Sequence, residues 1–83
     1  MTARKSIYDD RYRAVVRLLK QARKKKRMTQ EAAAAVFGVH RTTIAKIEAC
    51  DRRLDLLETC RLMELYGVEP EQLLVAIRGA GRA

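Results

Sequence analysis

The residues best equipped for chemistry lie in one stretch, His40 to Glu48 (HRTTIAKIE). At about 100° per residue on a helix, Ile44 and Ile47 mark one side, and Arg41, Thr42, Ala45 and Lys46 fall on the other. A free face bearing Arg, Thr and Lys can hydrogen-bond base edges and phosphate oxygens, and an alanine in its middle lets a backbone come close. Taken singly, Arg41 and Lys46 would be ordinary surface charges; the apolar pair behind them is what makes a face. His40, the only histidine, suits capping or a phosphate better than a metal, whose further ligands are missing nearby. Cys50 and Cys60 are too few for a disulfide scaffold and are expected as free, buried, small hydrophobes in a reducing compartment. No enzyme chemistry suggests itself. Ser6 is the only serine, there is no Gly-rich phosphate loop, and no carboxylate pair sits in a plausible pocket. No catalytic residue, cofactor or metal is expected.

Such a face needs a mount, and its neighbours supply one. Thr29 is a good N-cap for a helix running through the alanines to Phe37. Gly38 then provides the positive φ of a tight C-terminal turn, and His40 to about Ala49 forms the next helix. Two short helices joined by a Gly-containing turn of three or four residues make a helix-turn-helix pattern. Ala34 must be small because the helices cross there, while Val39, Ile44 and Ile47 plug the angle between them. Upstream, Ser6 and Asp9 read as a capping pair, and Tyr8, Tyr12, Val15, Val16, Leu19 and Ala22 recur at helical spacing to about Lys26. Downstream, a polar loop from Cys50 to Leu54 leads to an Asp55–Glu58 N-cap signature. Leu56, Leu57, Cys60, Met63 and Tyr66 then give a fourth helix its apolar face, up to Gly67. Pro70 fits the first position of a fifth helix ending near residue 78, with residues 79–83 as a frayed tail. The expected class is all-α, with five helices and no internal repeat.

Eighty-three residues allow one domain, 1–83, with a thin core that a partner subunit would help. The chain is 48% hydrophobic and 34% charged with one Pro, which argues for a folded chain rather than a disordered one. Its longest apolar run, Ala32 to Phe37, is far short of a membrane span, and no secretory signal is read at the N-terminus. The net charge of +8 is unevenly placed. Residues 1–27 carry eleven basic and two acidic side chains, whereas residues 54–83 carry three and five. That asymmetry favours a polyanion at one end of the molecule. The KKKR run at 24–27 reads as a phosphate-attracting edge or a solvated one. Tyr8, Tyr12 and the leucines of the last two helices are core or dimer surface.

The sequence resembles the Cro/repressor-type helix-turn-helix family over about residues 13–78. The resemblance rests on Arg23, MTQEAAA at 28–34, FGVHRTTIAKIE at 37–48 and LYGVEPEQLL at 65–74. It implies a five-helix, repressor-like fold whose third helix lies in the major groove. It further implies base reading by Arg41, Thr42 and Lys46, and a phosphate contact at Gln30. His40 and Thr43 lie near the backbone, with Thr29, Arg52 and Arg53 completing the expected phosphate contacts. Arg23 and Glu48 match a structural ion pair. Two positions depart from the pattern. Arg27 stands where many members have a helix-ending glycine, implying a tighter or more basic corner between helices 1 and 2. Glu69 replaces the usual Ser or Asp cap of helix 5, implying a less well started helix. The function expected is sequence-specific double-stranded DNA binding by a small cytoplasmic regulator of bacteria or phage, a repressor on a palindromic operator. A homodimer is expected through Leu73, Leu74 and Ile77, which offer more apolar surface than a nine-residue helix needs. Three alternatives stay open: an antitoxin-like module holding a protein partner, a restriction–modification controller, and a non-specific nucleic-acid binder.

Overall fold

In the computed structural model, which describes residues 9–80, each of the first four helices begins at a side chain that accepts an otherwise orphaned backbone N–H. Helix α1 (Asp10–Lys25) starts at Asp9, whose carboxylate takes the Arg11 N–H at 2.8 Å. The cap is Asp9 itself; Ser6 and Tyr8, assigned to this start from sequence, lie outside the described residues. Helix α2 (Gln30–Phe37) starts at Thr29, whose Oγ1 takes the Ala32 N–H at 3.0 Å. Helix α3 (Arg41–Glu48) is capped by His40, whose Nδ1 takes the Thr42 N–H at 3.3 Å. Helix α4 (Leu56–Tyr66) carries a full capping box between Asp55 and Glu58, at 2.7 and 3.0 Å. Helix α5 (Pro70–Ala80) follows Glu69, and there the Gln72 side-chain oxygen takes the Glu69 N–H at 2.8 Å. That bond is the reverse half of a capping box and offsets the poor cap residue. The helix also runs two residues past its expected end.

The first four helices all stop through a left-handed residue: Arg27 (φ 58°), Gly38 (78°), Cys50 (61°) and Gly67 (74°). After α1, Met28 N–H reaches Arg23 C=O at 3.1 Å and Arg27 N–H reaches Lys24 C=O at 2.9 Å. After α3, Asp51 N–H reaches Lys46 C=O at 2.8 Å and Cys50 N–H reaches Ile47 C=O at 3.0 Å. Both pairs are the Schellman pattern that satisfies terminal carbonyls. Arg27 therefore keeps the conformation of the glycine it replaces. At Gly67 an added Cβ would approach only the end of the exposed Lys26 side chain, Cε at 3.2 Å, so the left-handed backbone is what favours glycine there.

The core gathers Val15 and Leu19 of α1, Ala33, Ala34 and Phe37 of α2, Ile44 and Ile47 of α3, and Leu62, Met63 and Tyr66 of α4. Leu54 and Val68 close it from the loops. Helix α5 lies chiefly on α1, with Leu73 and Ile77 half-buried against this cluster. The expected apolar face of α4 needs correction. Leu56 and Leu57 are 76% and 73% exposed, Cys60 is exposed, and Leu62 is buried in their place. The core-facing arc runs through residues 59, 62, 63 and 66, so at 100° per residue Leu57 points almost directly away from it. Of the two free thiols, only Cys50 is buried as expected.

Candidate nucleic-acid interface

Helix α3 is mounted by its best-buried residues. Ile44 and Ile47 are 1% and 2% exposed, and half-buried Val39 packs beside them in the angle with α2. Because these two isoleucines are fixed, the opposite face is fixed too. Arg41, Thr42 and Lys46 are exposed on it, with Ala45 and Thr43 half-exposed at its middle and edge. His40 stands exposed at the start of the helix, with its Nδ1 also 3.1 Å from Thr42 Oγ1.

A line of polar contacts runs from α1 to this face. Arg23 grips Glu48 through two bonds, Nε to Oε2 at 2.6 Å and Nη2 to Oε1 at 3.0 Å, and its Nη1 donates to Met28 C=O at 2.7 Å. Both side chains are below 10% exposed. The bond to Glu48 raises the Arg23 pKa despite the opposing effect of burial, so this is a charged, hydrogen-bonded buried pair. Gln30 Nε2 donates to the same Glu48 Oε1 at 2.9 Å, and Gln30 Oε1 accepts from Arg41 Nη1 at 3.2 Å. The Gln30 amide thus joins the α1–α3 ion pair to the exposed arginine at the start of α3. Thr29, at the same end of α2, is exposed and spends its oxygen on the cap.

The loop between α3 and α4 is clamped from two directions. Arg52 pairs with Glu58, Nη2 to Oε2 at 2.9 Å, and that guanidinium holds the Glu58 carboxyl below the usual carboxylate range. From α1, the Tyr12 hydroxyl accepts the Leu54 N–H at 2.9 Å and lies 3.5 Å from Arg52 C=O. Burial pushes the Tyr12 hydroxyl pKa up. Arg52 is therefore engaged within the loop, whereas Arg53 stands exposed beside it. The sequence alone allows Tyr12 as core or dimer surface; the usable signal is that a half-buried tyrosine seeks a partner for its hydroxyl. The KKKR run is splayed rather than a single edge. Lys25 lines a cleft with Leu18, Gln21, Ala22 and Gln72 on the α5 side, and the Lys26 stem reaches Gly67.

This arrangement of two helices around a glycine turn, one buried at its crossing and presenting a basic outer face, belongs to a known class. The chain is a member of the Cro/repressor-type helix-turn-helix family, whose model matches residues 19–73, from the middle of α1 into α5. No curated protein and no solved structure matches the chain. The family is one of DNA-binding domains. Among the described residues no helix is long and apolar enough to cross a membrane, and no group of His, Cys, Asp or Glu is placed to hold a metal.

Proposed function

We propose that this chain is a sequence-specific transcriptional regulator, a repressor acting by occupancy, which binds a palindromic operator as a homodimer with α3 in the major groove. The observation that carries this reading is the outer face of α3: Arg41, Thr42 and Lys46 exposed together, on a helix whose opposite side is anchored in the core. Arg41 and Lys46 offer donors to guanine edges, and Thr42 offers a hydroxyl to either base type. Thr29, Gln30, His40, Thr43 and Arg53 flank that face as phosphate contacts, while Arg52 acts indirectly by holding its loop against Glu58. The dimer surface centres on Leu74, 47% exposed and adjoining the outer edge of Ile77, because Leu73 and Ile77 are already half-committed to the monomer core.

Selection of bound duplexes from a random pool tests the reading. A two-fold symmetric consensus with half-sites about one turn, roughly 34 Å, apart is expected. Recovery of duplexes without any consensus would overturn it. The exposed Leu56 and Leu57 at the start of α4 favour one second reading, an antitoxin-like or controller protein that also holds a protein partner. Copurification of one defined small protein from the native host would support that alternative.

A further inference from the structure

Arg13, Arg17, Lys20 and Lys24 recur along α1 at steps of four, three and four, which places them in one basic stripe about 16 Å long. The stripe follows the edge of α1 that faces α3. Arg13, Val16, Arg17 and Lys20 line one cleft with Glu48, Ala49 and Cys50 at the end of α3. Exposed Ala49 lies one turn beyond Ala45 on the outer face of α3, so the stripe continues that face rather than backing onto it. The other edge of α1 is different in kind: Val15, Leu18 and Ala22 face clefts shared with Ile77 and Gln72 of α5.

Charge neutralisation within the protein does not account for Arg17, Lys20 and Lys24. The acid in the cleft, Glu48, is already bonded to Arg23 and Gln30. Asp10 lies one turn before Arg13, away from the later residues. The side chains of Arg17, Lys20 and Lys24 take part in no hydrogen bond or ion pair with the described residues, and Arg17 and Lys24 are exposed. We infer that Arg17, Lys20 and Lys24 form a second phosphate-binding surface, which grips the DNA backbone beside the groove that α3 enters. Successive phosphates of one strand repeat every ~3.4 Å along the duplex axis, so a stripe of this length spans several. The surface rests on the DNA-binding reading above and extends it from a recognition helix to a two-helix footprint.

The test compares the double variant Arg17→Gln, Lys20→Gln with wild type and with Lys25→Gln, which removes a charge from the α5 edge. Glutamine is a good helix former, so α1 should persist. Affinity is read by fluorescence anisotropy on the selected operator and on a random duplex, over a series of salt concentrations. In the double variant both affinities should fall by similar factors, with the ranking of operator variants unchanged. The slope of log affinity against log salt should shrink by about 0.9 for each phosphate that a subunit no longer neutralises. Lys25→Gln should leave the slope as it was. Phosphate-ethylation interference with the wild-type protein should show a cluster of phosphates that drops out in the double variant. An unchanged slope, or an equal change per charge in Lys25→Gln, would overturn the proposal and leave a general field effect. Wild-type protein that bound operator and random duplex equally would instead defeat sequence specificity, a separate failure visible before any variant is made.

Discussion

Arg41 sits exposed yet tethered, because Gln30 accepts its Nη1 and is itself held by Glu48. A pre-positioned guanidinium loses less rotamer freedom on binding than a free one. Arg41→Ala should therefore cost about 1–3 kcal/mol on the preferred operator and relax preference at one base pair per half-site, measured across single-base operator variants. An equal loss on every sequence would make Arg41 a phosphate contact. Tyr12→Phe leaves the Leu54 N–H without its acceptor, and denaturant unfolding should show a loss of about 1–3 kcal/mol. Tyr66 supplies a pH test. Burial, aided by the Glu48 charge, pushes its hydroxyl from 10.0 up to about 12. The fold favours the neutral phenol, so its contribution is fully present below pH 10. As pH rises from 10 to 12 the unfolded chain ionises first, and stability should fall by up to about 2–3 kcal/mol. Tyr66→Phe should flatten that part of the alkaline unfolding curve. The exposed basic residues of α3 were legible from spacing, and the Arg23–Glu48 pair from family resemblance. The Tyr12–Leu54 bond was not, because it joins residues 42 apart in the chain whose meeting depends on how α1 crosses the loop.

Helix starts and stops are written locally, so they can be read from sequence to within a few residues. Thr29, Asp55, Gly38, Gly67 and Pro70 each act through backbone groups one to five residues away, which requires no knowledge of the tertiary fold. Facing is harder. Leucines at 56 and 57 read as core from hydrophobicity alone, which does not fix the arc of α4 that the rest of the molecule covers. Arg27 shows a third case: the departure from glycine reads as a tighter or more basic corner, whereas the backbone keeps the left-handed Schellman turn that a glycine would make. An L-residue in the left-handed region carries roughly 1–2 kcal/mol of strain, while glycine adds unfolded-state entropy that cancels part of the relief. Arg27→Gly should raise unfolding free energy by up to about 1 kcal/mol in urea titration. Arg27→Val, β-branched at the same φ, should lower it. A glycine variant less stable than wild type would mean that the arginine side chain contributes more than its backbone strain removes.

At the scale of the molecule, α1 divides two chemistries. Its α3 edge is basic and its α5 edge largely apolar, so the proposed nucleic-acid surface and the proposed assembly surface would be separated by the width of one helix. Leu74→Glu tests the assembly side with little damage to the monomer, since Leu74 is already half-exposed. Sedimentation should show the variant as a monomer at concentrations where wild type is a dimer, and affinity should fall far more for the full operator than for a lone half-site. A symmetric contact feels one substitution twice. Wild-type protein that remains monomeric at micromolar concentration, and binds a half-site as tightly as the full operator, would remove the dimer from the proposal.

Helix α5 has no fully buried residue; its grip on α1 comes from side chains such as Leu73 and Ile77 that are only partly covered. On burial it is the element expected to open first, and its amides should then exchange with deuterium before those of α1 to α4. If a second subunit covers the same side chains, assembly and the ordering of α5 are one thermodynamic event. Dilution would then loosen α5 and separate the subunits together, and both would reverse when a symmetric operator holds two chains side by side. The amount of protein in a cell, relative to that coupled equilibrium, would set how sharply the operator fills.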